Sequence, residues 1–163
     1  MLFYAGKSRF TPRSSDMNDE VFMTQALALA KTAGARGDVP VGCVIVRGDT
    51  VVGRGRNRRE EAHDATAHAE VEAIRQASQT LGRWRLEDCT LYVTLEPCPM
   101  CAGAIWNARI PRVVFGAADE KAGCCGSRLH LGLEGFRPSA DITGGVLEEE
   151  CARVLGSFFQ SMR

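Results

Sequence analysis

Apolar positions along the chain change period several times, and each change marks an element. In residues 18–34, Phe22, Ala26, Leu29, Ala30 and Ala33 recur at spacings of three and four, which puts them on one face of a helix. Asn18 precedes Asp19 and Glu20, which suit a positive first turn, and Gly34 follows the last periodic residue. A helix with this single apolar stripe is expected to lie on a sheet. Residues 41–46 and 51–55 are short β-branched runs joined by Arg47-Gly48-Asp49-Thr50, a hairpin signature. Residues 66–79 read as a second helix. Its cap falls at Thr66 or Ala67, His68 lies in its first turn, and Val71, Ala73, Ile74 and Ala77 form the buried face.

Residues 89–95 are apolar almost throughout, which suits a central strand buried on both faces. A third helix opens at Cys98 and ends near Ala108, and residues 111–116 form a fourth strand. A glycine-rich loop with two cysteines, 117–127, comes next. Residues 141–146 make a short fifth strand and 147–159 a terminal amphipathic helix. A hairpin followed by strands alternating with helices predicts a mixed α/β, three-layer architecture.

Length changes the picture little: 163 residues suit one domain with a real core and not two. That domain is expected over 17–163. Residues 1–16 carry Lys7, Arg9 and Arg13 among serines, with no acid before Asp16 and no apolar h-region of a secretory signal. They read as a flexible extension, with a transit peptide as the alternative.

Composition excludes several classes. No run approaches the roughly 18 apolar residues of a membrane span. Twenty basic residues balance twenty acidic ones, so the chain lacks the overall positive charge of a strongly basic nucleic-acid binder. The charge is unevenly placed, however. Arg54, Arg56, Arg58 and Arg59 cluster in one segment, readable as a solvated face or as a phosphate-contacting rim. Seven cysteines, an odd number, argue against a disulfide framework and for a reducing, cytoplasmic setting.

Chemistry concentrates in two short runs, His68-Ala69-Glu70 and Pro97-Cys98-Pro99-Met100-Cys101. Cys98 falls where a helix cap would be, and Pro99 at the first helical position, where its missing N–H costs nothing. Both sulfurs then lie at the positive end of a helix, which favours the thiolate that binds metal. The pair alone fits a redox dithiol, a structural zinc site completed by Cys124 or Cys125, or an open zinc site with His68 as third ligand. No second Cys-x-x-Cys or His-x3-His is present, so His68, Cys98 and Cys101 would leave one coordination position for water. Glu70, two residues past His68, is better placed to carry protons there than to bind the ion. Cys43, Cys89 and Cys151 read as buried small apolar residues, and His63 and His130 as loop or surface residues.

These two runs form the H-x-E…P-C-x-x-C signature of the zinc-dependent cytidine and nucleoside deaminases, which this chain resembles. Val39-Pro40-Val41-Gly42, the segment from His63 to Glu70, that from Thr90 to Gly103, Val113-Val114-Phe115-Gly116-Ala117 and the closing Phe158-Phe159 are similar to the bacterial tRNA adenosine deaminases in particular. The resemblance implies an α/β/α sandwich around a mixed five-stranded sheet, one Zn2+ per subunit, and a homodimer. It also implies hydrolytic conversion of the wobble adenosine to inosine in the anticodon stem-loop of tRNA.

By the same resemblance Glu70 is the catalytic acid and base, Asn57 holds the flipped base, and Asp119 and Lys121 lie beside the RNA. Arg56, Arg58, Arg59 and Phe159 become candidate RNA contacts. Two positions depart from the family pattern: Ala65 stands where a proline is usual after the His-Asp pair, and Ala118 where an arginine often precedes the loop aspartate. The rival reading is a deaminase of a free nucleobase, guanine or cytosine.

Overall fold

The computed structural model describes residues 17–130 and 140–163. The first sixteen residues, read from sequence as an extension, lie outside the described residues. Element order is α1 (Met17–Ala35), β1 (Gly42–Arg47), β2 (Thr50–Arg56), α2 (Arg59–Ala62), α3 (Ala69–Leu81), β3 (Cys89–Leu95), α4 (Pro99–Asn107), β4 (Arg112–Ala117), β5 (Asp141–Thr143) and α5 (Glu148–Ser161). The strands form one sheet in the order β2-β1-β3-β4-β5. β1 runs antiparallel to both β2 and β3, while β3, β4 and β5 are parallel. This is the expected mixed five-stranded sheet, and β3 occupies its centre over the residues the apolar run marked.

Alternation along each strand divides the core in two. Cys43, Ile45, Leu91, Val93, Val113 and Phe115 face a layer that includes Ala69, Ala73 and Ala77 of α3 and Ile105 of α4. Val44, Val46, Tyr92 and Val114 face Phe22, Met23, Ala26 and Leu27 of α1 and Cys151 of α5. The three-layer sandwich follows directly from that split.

Four sequence expectations are corrected. On α1, Met23 and Leu27 are buried while Leu29 is half-buried, so the stripe is rotated by part of a turn. On α3 the buried face is Ala69, Glu70, Ala73 and Ala77, and Val71 and Ile74 stand half-buried at its edge. The cause is in β2: an added Cβ at Gly53 or Gly55 would overlap the carbonyl oxygen of Ala73 or Ala69. The helix therefore lies too close to the strand for large side chains. Helix α3 also starts at Ala69, not Thr66, because residues 64–66 are consumed in a turn. The backbone N and Oγ1 of Thr66 donate to Asp64 Oδ1 at 2.8 and 2.7 Å. That turn forms without the usual proline at position 65.

The fourth correction is a short helix, α2, between β2 and α3, where the sequence reading has no element. The carboxylate of Asp38 accepts from the backbone N of Glu60 at 2.9 Å and of Glu61 at 3.2 Å, holding this helix from a distant loop. The remaining boundaries shift by at most three residues, and β3 keeps its expected bounds. At the sheet's other end, buried Asp19 of α1 accepts from Arg112 Nη1 and Nη2 at 2.8 and 2.7 Å and from Tyr92 Oη at 2.8 Å. This ties the first helix to β3 and β4.

Candidate active site

Because β1 is antiparallel to β3, the start of β1, the end of β2 and the end of β3 lie at one edge of the sheet. The N-termini of α3 and α4 open at the same edge. His68 is the extended N-cap of α3 and Cys98 the extended N-cap of α4, with Pro99 at the first helical position as expected. Two helix N-termini thus bring an imidazole and two sulfurs together.

The Nδ1 of His68 lies 3.7 Å from Cys98 Sγ and 3.4 Å from Cys101 Sγ. All three ligand atoms fall within 4.8 Å of one another, the one such metal-ligating cluster found among the described residues. A tetrahedral zinc with bonds of about 2.3 Å to sulfur and about 2.0 Å to nitrogen separates such donors by about 3.6 Å. The residues therefore fit the ion. Cys124 and Cys125 are not in the cluster, which removes the structural-site reading.

Burial sets the electrostatics. The Cys98 thiol is held down to about 4, first by the hydrogen bond from Cys101 and then by His68, against its desolvation. Cys101 moves far the other way, through that same bond, burial and the Glu70 carboxylate. His68 is raised by its contact with the Cys98 thiolate. Glu70, only 4% exposed, is raised by burial, although Cys101 Sγ donates to its Oε2 at 3.3 Å. A bound cation would favour the thiolate forms of both cysteines and the neutral imidazole.

Behind these groups is a cavity of about 180 Å³ whose lining includes Asn57, Arg59, His68, Glu70, Glu96, Cys98 and Asp119. Asn57 donates Nδ2 to the Val39 carbonyl at 3.2 Å. Its Oδ1 is buried with no hydrogen-bond partner among the described residues. An orphaned acceptor in a cavity wall is suited to a donor on a ligand. Asp119 uses Oδ1 to accept from the backbone N of Lys121 and Ala122 at 3.0 and 3.2 Å.

Several sequence candidates lie elsewhere. Lys121 is exposed and Phe159 is 51% exposed, and neither lines the cavity. Arg56 is engaged by Glu61 at 2.6 Å, and Arg58 reaches Glu61 at 3.5 Å and Glu72 at 3.7 Å. Arg36 joins the same carboxylate at 3.1 Å, and the Arg56 hydrogen bond first of all holds Glu61 down to about 2. Of the candidates Arg56, Arg58 and Arg59, only Arg59 lines the cavity. Sequence reasoning missed Glu96, 2% exposed at the end of β3. A lone acid directly before Pro97-Cys98 was its only signal.

The family model described as the cytidine and deoxycytidylate deaminase zinc-binding region matches residues 16–117. A tRNA-specific adenosine deaminase of Bacillus subtilis is 48% identical over 146 residues, covering 89% of this chain and 91% of that protein. A solved structure from a study of A-to-I editing by tRNA:A34 deaminases is 43% identical, with a TM-score of 0.79 over 83% of this chain and 99% of that one. A guanine deaminase structure from Bacillus subtilis is 44% identical, with a TM-score of 0.60 over 63% of this chain and 66% of that one. Signature, sheet order and ligand geometry agree with these matches: the chain belongs to the cytidine and deoxycytidylate deaminase family of zinc enzymes, with His68, Cys98 and Cys101 fitted to the metal.

Proposed function

We propose that this enzyme deaminates the wobble adenosine of a tRNA anticodon loop to inosine. The observation that carries the reading is the near full-length likeness to proteins named for that reaction. The guanine deaminase likeness covers a smaller share of both chains.

His68, Cys98 and Cys101 would hold the ion, which when bound would supply the Lewis acidity that activates water near neutral pH. In the reaction water adds oxygen to C6 of the purine, the C6–N6 bond breaks, and ammonia leaves; no electrons are transferred. Glu70 takes the proton of the attacking water, gives it to the ring nitrogen N1, and passes a second proton to the departing amine. Its buried position beside Cys101 keeps bulk water from competing for those protons. Asn57 offers Oδ1 to a donor on the base edge, and Asp119 lines the same cavity.

An adenine in a stacked loop must swing out to enter a recess of this kind, and an anticodon loop has no base pair to break. Arg59 lies at the cavity for a flanking phosphate. Arg56, Arg58, Lys121 and Phe159 form an outer ring of contacts to the loop. The folded unit spans 17–163 with 1–16 as an appendage. It works as a cytoplasmic homodimer, a setting that suits an odd number of cysteines. No helix among the described residues is long and apolar enough to cross a membrane.

The test is incubation of the zinc-loaded protein with an anticodon stem-loop carrying wobble adenosine, with inosine as readout. Free guanine, cytosine and adenosine run in parallel. Inosine in the stem-loop is expected; turnover of guanine or cytosine with none on RNA would overturn the assignment.

A further inference from the structure

Glu96 is a buried carboxylate with no basic partner among the described residues. Its Oε1 accepts from the backbone N of Cys125 and of Ser127, each at 3.0 Å. Its Oε2 accepts from the backbone N of Asp119 at 2.9 Å and from Ser127 Oγ. Four donors, spread over residues 119–127, converge on one side chain. Only an ionised carboxylate supplies two acceptor oxygens and no donor, so a neutral amide of the same shape could not accept all four.

The backbone repeats the connection. Glu96 N donates to the Ala117 carbonyl at 2.9 Å, and Cys124 N to the Pro97 carbonyl at 2.9 Å. A side chain at Gly123 would overlap the Glu96 carboxylate and the Asp119 carbonyl, so the loop is drawn in as far as backbone permits. Asp119 in turn holds the N–H groups of residues 121–123. One end of this assembly adjoins Cys98; the other, Asp119 and Ala122, is a wall of the cavity.

We infer that Glu96 is a positioning residue that fixes the Asp119–Ser127 loop against the metal-ligand segment and so sets the shape of the base pocket. It acts on substrate through that loop and not on the reacting atoms. Its effect belongs in substrate affinity, with the metal site intact.

The test compares zinc-loaded wild type, Glu96→Gln and Ser127→Ala. In Glu96→Gln the amide nitrogen turns a donor toward at least one loop N–H. Amide hydrogen exchange at Asp119, Cys125 and Ser127 is expected to quicken by about tenfold, the scale of one buried hydrogen bond lost. Exchange in β1 and β3 should stay unchanged, with zinc still bound. The KM for the anticodon stem-loop is expected to rise by a similar factor while kcat changes by less than about threefold. Ser127→Ala, at an exposed position, removes one donor and should shift both readouts the same way by less.

Unchanged exchange and KM in Glu96→Gln would overturn the inference, as would an equal fall in kcat with KM untouched. If Glu96→Gln does not fold, Ser127→Ala decides: unchanged exchange at Asp119 and Cys125 rejects the staple. The kinetic arm rests on the proposed RNA substrate. Should wild type leave the stem-loop untouched, that substrate reading falls, and the exchange arm still judges Glu96.

Discussion

The sulfur of Cys101 stands 3.3 Å from Oε2 of Glu70, so the most deeply buried metal ligand touches the carboxylate beside the metal site. As a thiol, Cys101 donates to that oxygen; as a thiolate it would have no proton to give, leaving Oε2 available to the cavity.

Glu70→Gln keeps the shape and the burial but cannot accept a proton from water. Inosine formation should fall by about 10²–10⁴, the usual worth of a positioned acid and base. Zinc content should stay near one per chain. Retained turnover in single-turnover assays would place the proton transfer elsewhere.

Cys98→Ser and Cys101→Ser each remove a donor at the distances zinc requires. Both should lose the metal in elemental analysis, and chelation of the wild type should lower its melting temperature. An ion present at 1,000 times its Kd stabilises the folded state by about 4 kcal/mol.

Arg59 and Glu61 give opposite expectations. Arg59→Ala should weaken stem-loop binding and reduce the salt slope by about 1. Glu61→Gln releases Arg56 and Arg58 from their shared carboxylate, so binding should tighten and the slope steepen. Both are read from affinities measured across a salt series. Unchanged slopes in both variants would make the arginine cluster a solvated surface.

Asp19 predicts an acid limb of stability. Burial opposes its charge, but the hydrogen bonds from Arg112 and Tyr92 and the Arg112 charge outweigh that, leaving its carboxyl below the ordinary value. The stabilisation is therefore complete above the unfolded pKa of about 3.9 and is lost as pH falls through the lower folded value. Asp19→Asn should cost about 3 kcal/mol at pH 7, at the low end for breaking a buried pair. Its denaturation midpoint should also fall less steeply on acidification than that of the wild type.

Much of the site was legible because its signals are local. Cys98-Pro99-Met100-Cys101 carries its own helix start, and the structure places Cys98 at the N-cap with Pro99 behind it. The apolar run 89–95 names the central strand for the same reason: burial on both faces favours apolar side chains, and the buried Thr94 has its hydroxyl oxygen satisfied by the backbone N of Gly42. Glu96 was not legible, since its partners lie 23 to 31 residues downstream and a single acid has no period. Helix α2 was hidden likewise, because four residues show no periodicity and Asp38, more than twenty residues upstream, holds its N-terminus.

Sequence by itself determined the chemical groups on offer: an imidazole, two thiols and a carboxylate at fixed spacings, with strands and helices alternating around them. Ligand type and local spacing are properties of consecutive residues. Tertiary structure alone decided which of the basic and acidic candidates line the cavity. It set Arg59 at the cavity while Glu61 engaged Arg56 and Arg58, and it turned α3 so that alanines meet β2. Those outcomes depend on how closely elements approach and on charges brought together from distant segments, and a linear pattern carries neither.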